Sequence, residues 1–164
     1  MAKKEEYIWS FLRIGLGWIF FWSFLDKLFG LGFTTAADKS WLLGNSPTFG
    51  FLKFGTTGIF ASFFQGLSNF SAIIDWIFMI GLLLIGTALI LGVARKLACY
   101  SAALLLFLMW LAVVPPEHNP IIDEHIIYIL VLLGLVNLNL GNAFSLRKWW
   151  NSTSLAKKYK ILRD

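Results

Sequence analysis

The chain has 164 residues, of which 58% are hydrophobic and 14% are charged, and its formal net charge is +5. A soluble domain of this size carries nearer a quarter charged residues, so the composition predicts an integral membrane protein. Its basic residues gather at predicted helix ends and at the C-terminus, as membrane topology requires, and no nucleic-acid partner is expected. The single cysteine, Cys99, excludes an internal disulfide and a Cys-x-x-Cys redox pair.

The first apolar run, residues 7–25, predicts a membrane-spanning helix. Arg13 is its only charged residue. Two interpretations stay open for this side chain, an anchor that reaches the headgroups or a buried pairing or ligand role. The span ends at Asp26 and Lys27, and Trp22 lies one turn below them.

The next stretch is rich in aromatic residues and glycine. Within it, residues 49–67 carry only one charge, Lys53, and are long enough for a fifth span. We favour short helices in the membrane interface over about 41–69, because glycine, threonine and Lys53 interrupt the hydrophobicity. Aromatic side chains also favour headgroup depth.

Two further spans follow, at about 73–93 and 97–114. Asp75 lies at the start of the first of them, and its Gly81 and Gly86 are expected to allow close approach of another helix. The second has no charge and stops at two consecutive prolines.

A fourth span is predicted at about 121–140. Pro120 suits the first turn of a helix and Asn119 suits its N-cap. Twenty helical residues extend about 30 Å, the thickness of the hydrocarbon core. The start of this span carries an acidic and histidine cluster, Asp123-Glu124-His125.

We therefore expect an all-α four-helix transmembrane bundle at 1–146, followed by a basic cytoplasmic tail at 147–164. With four spans, eleven of the fourteen basic residues share one side, which places both termini of a multi-pass cell-membrane protein in the cytoplasm. Six of the nine acids then lie at the outer face. In a compact bundle the acidic ends of three spans meet in one outer mouth.

This outer mouth is the candidate site, and a histidine beside carboxylates can exchange protons near neutral pH. A proton-handling or quinone-facing pocket is the natural use of such a set. The expected catalytic residues are Asp26, Asp75, Glu124 and His125, and the expected cofactor-binding residues are Arg13, Trp22, Lys27, Asp123 and Tyr128. The alternative is that the acids only cap helices. The acid and histidine spacing matches no defined metal motif, so no metal is expected.

Three segments resemble the DoxX/DoxD membrane protein family. They are Leu12–Gly30, Gly81–Ala98, and Asn119–Tyr128 with the later Trp149-Trp150, the last being similar to the DoxD-like branch. The resemblance implies a four-helix membrane bundle. It also suggests the membrane subunit of a thiosulfate:quinone oxidoreductase, which passes electrons from thiosulfate to quinone.

Six outer acids would repel thiosulfate unless Lys27 or Lys53 acts locally or a partner supplies the anion site. We therefore expect a quinone- or partner-binding subunit, working with a partner subunit or as a homo-oligomer in the lipid bilayer. The alternatives are a non-catalytic structural or assembly subunit and a small-solute or proton transporter. The transporter ranks lower, because the third span has no charge.

Overall fold

The computed structural model describes residues 2–138 and 140–163, and Met1, Asn139 and Asp164 lie outside that description. The regular elements of the described part are all helical. Four helices are long: α1 (Ala2–Phe29), α3 (Ser71–Leu91), α4 (Arg95–Val113) and α5 (Glu124–Asn137). Three are short: α2 (Ala61–Leu67), α6 (Arg147–Ser152) and α7 (Ser154–Lys158).

The long helices pack as two main pairs, α1 on α3 and α4 on α5, joined through α3 and α4. Glycine allows the first pair to approach closely: a Cβ at Gly86 would lie 2.6 Å from the backbone nitrogen of Phe21. A Cβ at Gly81 would meet nothing within 4 Å. The prediction of close approach is therefore confirmed for Gly86 and wrong for Gly81, which faces away from the helix pair.

Three helical stretches are long and apolar enough to cross a membrane: Lys3–Phe29, Gly58–Leu91 and Arg95–Val113. Large apolar side chains such as Ile77 and Leu84 are exposed on these helices. A water-soluble bundle would instead present its polar residues there. These observations identify a helical membrane protein. The second stretch is longer than predicted, because α2 and its flanking 3₁₀ turns run directly into α3.

The helix α5 begins later than the sequence indicated. Asp123, not Asn119, is its N-cap, and its side chain accepts hydrogen bonds from the backbone of His125 and Ile126. The Asn119 side chain instead closes a turn ahead of the helix, on the backbone N–H groups of residues 121 and 122. The predicted start at Pro120 is wrong because the aspartate cap three residues later sets the helix boundary.

The described part of this segment, residues 121–138 and Leu140, nevertheless contacts both ends of α4. At one end the Trp110 indole N–H donates to the Ile121 carbonyl at 2.9 Å. At the other end the Arg95 guanidinium donates to the Leu140 carbonyl at 2.6 Å. The predicted fourth span is thus a 14-residue helix with irregular ends that side chains of α4 hold in place.

The segment between α1 and α3 consists of short turns and the helix α2. It contains 3₁₀ turns and one π-helical turn, Phe51–Gly55. The backbone N–H of Thr57 donates to the Ala112 carbonyl at 2.9 Å, which ties this segment to the end of α4.

The bundle has two distinct ends. At the Arg13 end, α1 begins, α3 turns into α4, and the chain leaves α5. At the Asp26 end, α1 finishes, α3 begins, and α4 connects to α5. The C-terminal tail folds back at the Arg13 end, where the Trp150 indole N–H donates to the Leu162 carbonyl at 2.6 Å and the Lys160–Leu162 turn packs on α4.

Candidate functional site

Asp26 organises the loop that follows α1. Its side chain is 1% exposed. The carboxylate accepts hydrogen bonds from the backbone N–H of Phe33 at 3.2 Å, and from both the N–H and the hydroxyl of Thr34, at 2.9 and 2.7 Å. The same hydroxyl oxygen accepts from the Lys27 ammonium at 3.4 Å. Asp26 therefore holds the loop of residues 30–35 against the end of its own helix. Through Thr34, this loop also contacts the Lys27 side chain.

Asp75 does the same for a second loop. It lies in the second turn of α3 and is 5% exposed. One of its carboxylate oxygens accepts from the Ser46 hydroxyl at 2.8 Å, the Thr48 hydroxyl at 2.6 Å and the Thr48 backbone N–H at 3.1 Å. The prediction placed Asp75 at the start of its helix, where the helix dipole favours a carboxylate. The structure uses it instead to hold residues 46–48 against α3.

The two loops, the π-helical turn and the helices α1 to α4 line a cavity of about 770 Å³, here called the α1–α4 cavity. Its polar end carries Lys27, Lys39 and four hydroxyl side chains, those of Thr34, Thr35, Ser46 and Thr48. Its remaining wall is largely apolar and includes Phe51, Leu52, Phe64, Leu67, Ile74, Phe78, Leu105, Leu108 and Met109. No carboxylate is among these lining residues. The cavity suits a molecule with a polar head and an apolar body.

Of the nine predicted site residues, only Lys27 lines this cavity. Asp26 and Asp75 lie one hydrogen bond behind its polar wall, through the Thr34 and Thr48 hydroxyls. Trp22 is not among the lining residues, and its ring packs edge-on against Phe33 at 5.1 Å. The predicted aspartates thus shape the wall and leave direct contact with a bound molecule to other side chains.

A second cavity, of about 490 Å³, lies at the same end beside the start of α5. It is here called the α5 cavity, and both histidines of the chain line it, with Glu117, Asp123 and Glu124. The His125 Nδ1 lies 2.8 Å from an Asp123 carboxylate oxygen. Tyr128, one turn further along, is half-buried against the helical core.

Donor atoms of Asp123, Glu124 and His125 all lie within 4.8 Å of one another, so these residues could hold a divalent cation. Their contacts also have a plain structural meaning. One Asp123 oxygen caps α5 and the other meets His125. This agrees with the capping alternative for Asp123.

The predicted single mouth is therefore divided between two cavities. The π-helical turn Phe51–Gly55 stands between them, with Phe51 and Leu52 lining the α1–α4 cavity and Gly55 lining the α5 cavity. The structure does not bring Glu124 and His125 into one cavity with Lys27.

Arg13 requires a correction, because it lies at the opposite end of the bundle. Thirteen residues of helix separate it from Asp26, about 20 Å at 1.5 Å per residue. Its side chain is 0% exposed and donates to five backbone carbonyls: Leu89 and Ile90 at the end of α3, and Gly141, Ala143 and Phe144 after α5. The buried alternative for this residue is confirmed as a structural clamp. A cofactor-binding role is not supported.

Sequence reasoning missed Glu6 and the loop hydroxyls. The Glu6 carboxylate accepts from the backbone N–H groups of Gly141, Asn142 and Ala143. This is the same segment whose carbonyls accept from Arg13. No local sequence pattern indicates these hydrogen bonds, since more than 130 residues separate the partners in the chain. For the hydroxyls the only signal was a cluster of Ser and Thr in the loop after Asp26.

Comparison of the chain with protein-family models, with curated proteins and with solved structures gives no match. The resemblance to the DoxX/DoxD family therefore stays a prediction that rests on the three sequence segments.

Proposed function

We propose that this chain is the membrane subunit of a quinone-linked oxidoreductase and that it binds quinone in the α1–α4 cavity. The observation that carries the proposal is the combination of a largely apolar cavity with a cationic donor, Lys27, at its polar end.

The dimensions and chemistry of the cavity support a ring-headed amphiphile. Its volume of about 770 Å³ falls within the range of small-molecule sites. The aromatic side chains of Phe51 and Phe78 offer surfaces against which a flat ring can pack. A quinone oxygen accepts hydrogen bonds, and the Lys27 ammonium, already held at one side by Thr34, has further protons to donate.

The most specific form of the proposal is a thiosulfate:quinone oxidoreductase, as the family resemblance implies. The outer acids argued against an anionic substrate at the sequence level. In the structure Asp26 and Asp75 are buried and occupied by loop donors, whereas Lys27 and Lys39 line the cavity. Lys39 is paired with the exposed Asp38 carboxylate at 3.9 Å, so Lys27 is the cation that supports anion binding at this cavity. Cys99, the only cysteine, is buried, so we assign the thiosulfate chemistry to a partner subunit.

For topology we propose four spans, with residues 121–140 as the fourth, about 41–69 at the membrane interface and both termini in the cytoplasm. The contacts support this arrangement, because Glu6 meets the chain that leaves α5 at the Arg13 end. The basic α3–α4 turn and the basic tail lie at that same end. The positive-inside rule then assigns the Arg13 end to the cytoplasm.

The test is extraction of the detergent-purified protein with organic solvent, followed by mass spectrometry for quinone. We expect about one quinone per chain in the wild type and strong loss in Lys27→Met, which retains the apolar stem and removes the donor. His125→Ala is the matched control, because it alters the α5 cavity alone, and it is expected to retain quinone. A folded wild type without quinone would refute the proposal, as would loss in His125→Ala but not in Lys27→Met.

A non-catalytic assembly subunit is the second candidate, favoured by one observation. The segment between α1 and α3 exposes Phe54 at 77%, Ile59 at 75% and Phe63 at 63%. Such side chains suit either lipid contact or docking of a partner subunit. A stable partner complex from a protein that never retains quinone would favour this candidate over the first.

A further inference from the structure

The hydroxyl groups at the polar end of the α1–α4 cavity have a defined hydrogen-bond direction. The Thr34 hydroxyl lies 2.7 Å from the Asp26 carboxylate, and the Ser46 and Thr48 hydroxyls lie 2.8 and 2.6 Å from that of Asp75. An ionised carboxylate only accepts hydrogen bonds, so each hydroxyl must donate its single proton to it. Towards the cavity, these three side chains can therefore only accept.

The carboxylates are held as acceptors by other groups as well. The backbone N–H groups of Phe33 and Thr34 point at Asp26, and that of Thr48 points at Asp75. A backbone N–H can only donate. Rotation of either carboxylate would break these backbone hydrogen bonds, of which that of Thr48 is buried, and this fixes the direction of the hydroxyl protons.

The hydroxyl oxygens still have acceptor capacity. A hydroxyl has two lone pairs. Thr34 uses one for Lys27, and Ser46 uses one for the backbone N–H of Phe49 at 3.0 Å. Each retains one lone pair, and Thr48 has no further donor among its hydrogen bonds and retains two. The remaining donors at this end are the ammonium groups of Lys27 and Lys39, the latter 3.9 Å from the exposed Asp38 carboxylate, whereas the Thr35 hydroxyl hydrogen-bonds to Asp26.

We propose that the α1–α4 cavity binds the reduced quinol more tightly than the oxidised quinone, an inference that rests on the proposed quinone function. A quinone oxygen only accepts, so it can use the lysines but not the three oriented hydroxyls. Reduction by two electrons and two protons converts both ring carbonyls to O–H groups. A quinol can then donate to an oriented hydroxyl oxygen while its own oxygens still accept from lysine.

The test is equilibrium dialysis, under anaerobic conditions, of full-length protein freed of endogenous quinone. The probes are a decyl-substituted benzoquinone and its hydroquinone, which share ring and tail. We expect about fivefold tighter binding of the hydroquinone, the worth of one net hydrogen bond. Thr48→Val is expected to reduce the preference, because it removes the oriented hydroxyl that retains two lone pairs with little change of shape, whereas Thr48→Ser is expected to retain it. Thr57→Val, in the α5 cavity, is the control.

The outcomes separate this inference from the proposed function. Equal binding of the two probes by the wild type, or tighter binding of the quinone, overturns the redox preference and leaves the quinone function standing. Binding of neither probe overturns both. If Thr48→Val does not fold, the comparison of the two probes in the wild type decides whether the quinol preference exists. Retention of the full preference in a folded Thr48→Val overturns the role of the Thr48 hydroxyl as an acceptor for the quinol.

Discussion

The two ends of the bundle anchor irregular chain segments in different ways. Both must fix irregular chain against helix ends, and both do so with buried charged side chains of α1 or α3. At the Arg13 end the guanidinium and the Glu6 carboxylate bind backbone groups of residues 141–144 directly. At the Asp26 end the carboxylates bind single-turn loops that arch over the helices, and cavities remain. We infer that the first end serves stability and the second serves binding.

The largest expected effect comes from Arg13→Met, because it strands several buried carbonyls while keeping an apolar stem. We expect a loss of roughly 4 kcal/mol or more of unfolding free energy, since each unsatisfied buried group costs ~1–3 kcal/mol. Thermal unfolding in detergent micelles measures this. Lys148→Met, which removes an exposed positive charge near the same end, is the control and should leave the midpoint nearly unchanged. A small loss of stability in Arg13→Met would contradict the inference that the Arg13 end serves stability.

Asp75→Ala tests the opposite end. It leaves the Thr48 N–H and two hydroxyls without their acceptor, so we expect a loss of about 2–3 kcal/mol. Residues 46–48 should also come away from α3, and bound quinone should be lost. The control is Glu5→Ala, which removes an exposed carboxylate at the opposite end of α1. Retention of quinone by Asp75→Ala would show that the loop does not shape the cavity.

The seam between α1 and α3 joins the two ends and gives a sharper pair of variants. Gly86→Ala places a methyl group against the backbone of Phe21 and is expected to cost about 1–3 kcal/mol through overpacking. Gly81→Ala adds the same group in open space. It is expected to be neutral or slightly stabilising, because alanine favours a helix. Equal unfolding midpoints of the two variants would contradict the close packing.

The smallest effect is expected at the start of α5. Asp123→Ala removes the N-cap and should cost about 1 kcal/mol. Asp123→Asn should retain most of that stability, because its side-chain oxygen can still accept from the backbone of residues 125 and 126. A loss in Asp123→Asn as large as that in Asp123→Ala would mean that the contact between the Asp123 carboxylate and His125, rather than the cap, determines the stability.

Sequence reasoning was most successful where the signal is local. Hydrophobic runs predicted α1, α3 and α4, since each is a continuous apolar segment of membrane length. The start of α5 was misplaced because Asn119-Pro120 and Asp123 are both acceptable starts in sequence, and the structure places the cap at Asp123 while Asn119 closes a turn ahead of it. Hydropathy alone also left the role of Arg13 open, because an anchor and a buried clamp have the same composition around them.

The candidate site was only partly predictable. Asp26 and Asp75 were identified as unusual acids at helix ends, and both do lie beside the α1–α4 cavity. Their partners are hydroxyls that lie 8 to 29 residues away in the chain, and such pairings depend on how the loops fold. The division into two cavities follows from the π-helical turn Phe51–Gly55, whose position no hydrophobic pattern indicates.

The shortness of α5 has a consequence for the surrounding lipid. Its 14 helical residues extend about 21 Å, whereas a typical hydrocarbon core is about 30 Å thick. On the proposed topology, the irregular ends of this span lie at hydrocarbon depth, where side chains such as those of Asn119, Trp110 and Arg95 satisfy part of their backbone. Thinning of the adjacent leaflets would relieve this hydrophobic mismatch. We therefore expect the protein to partition into thin bilayers and to unfold at a lower temperature in long-chain than in short-chain lipid nanodiscs.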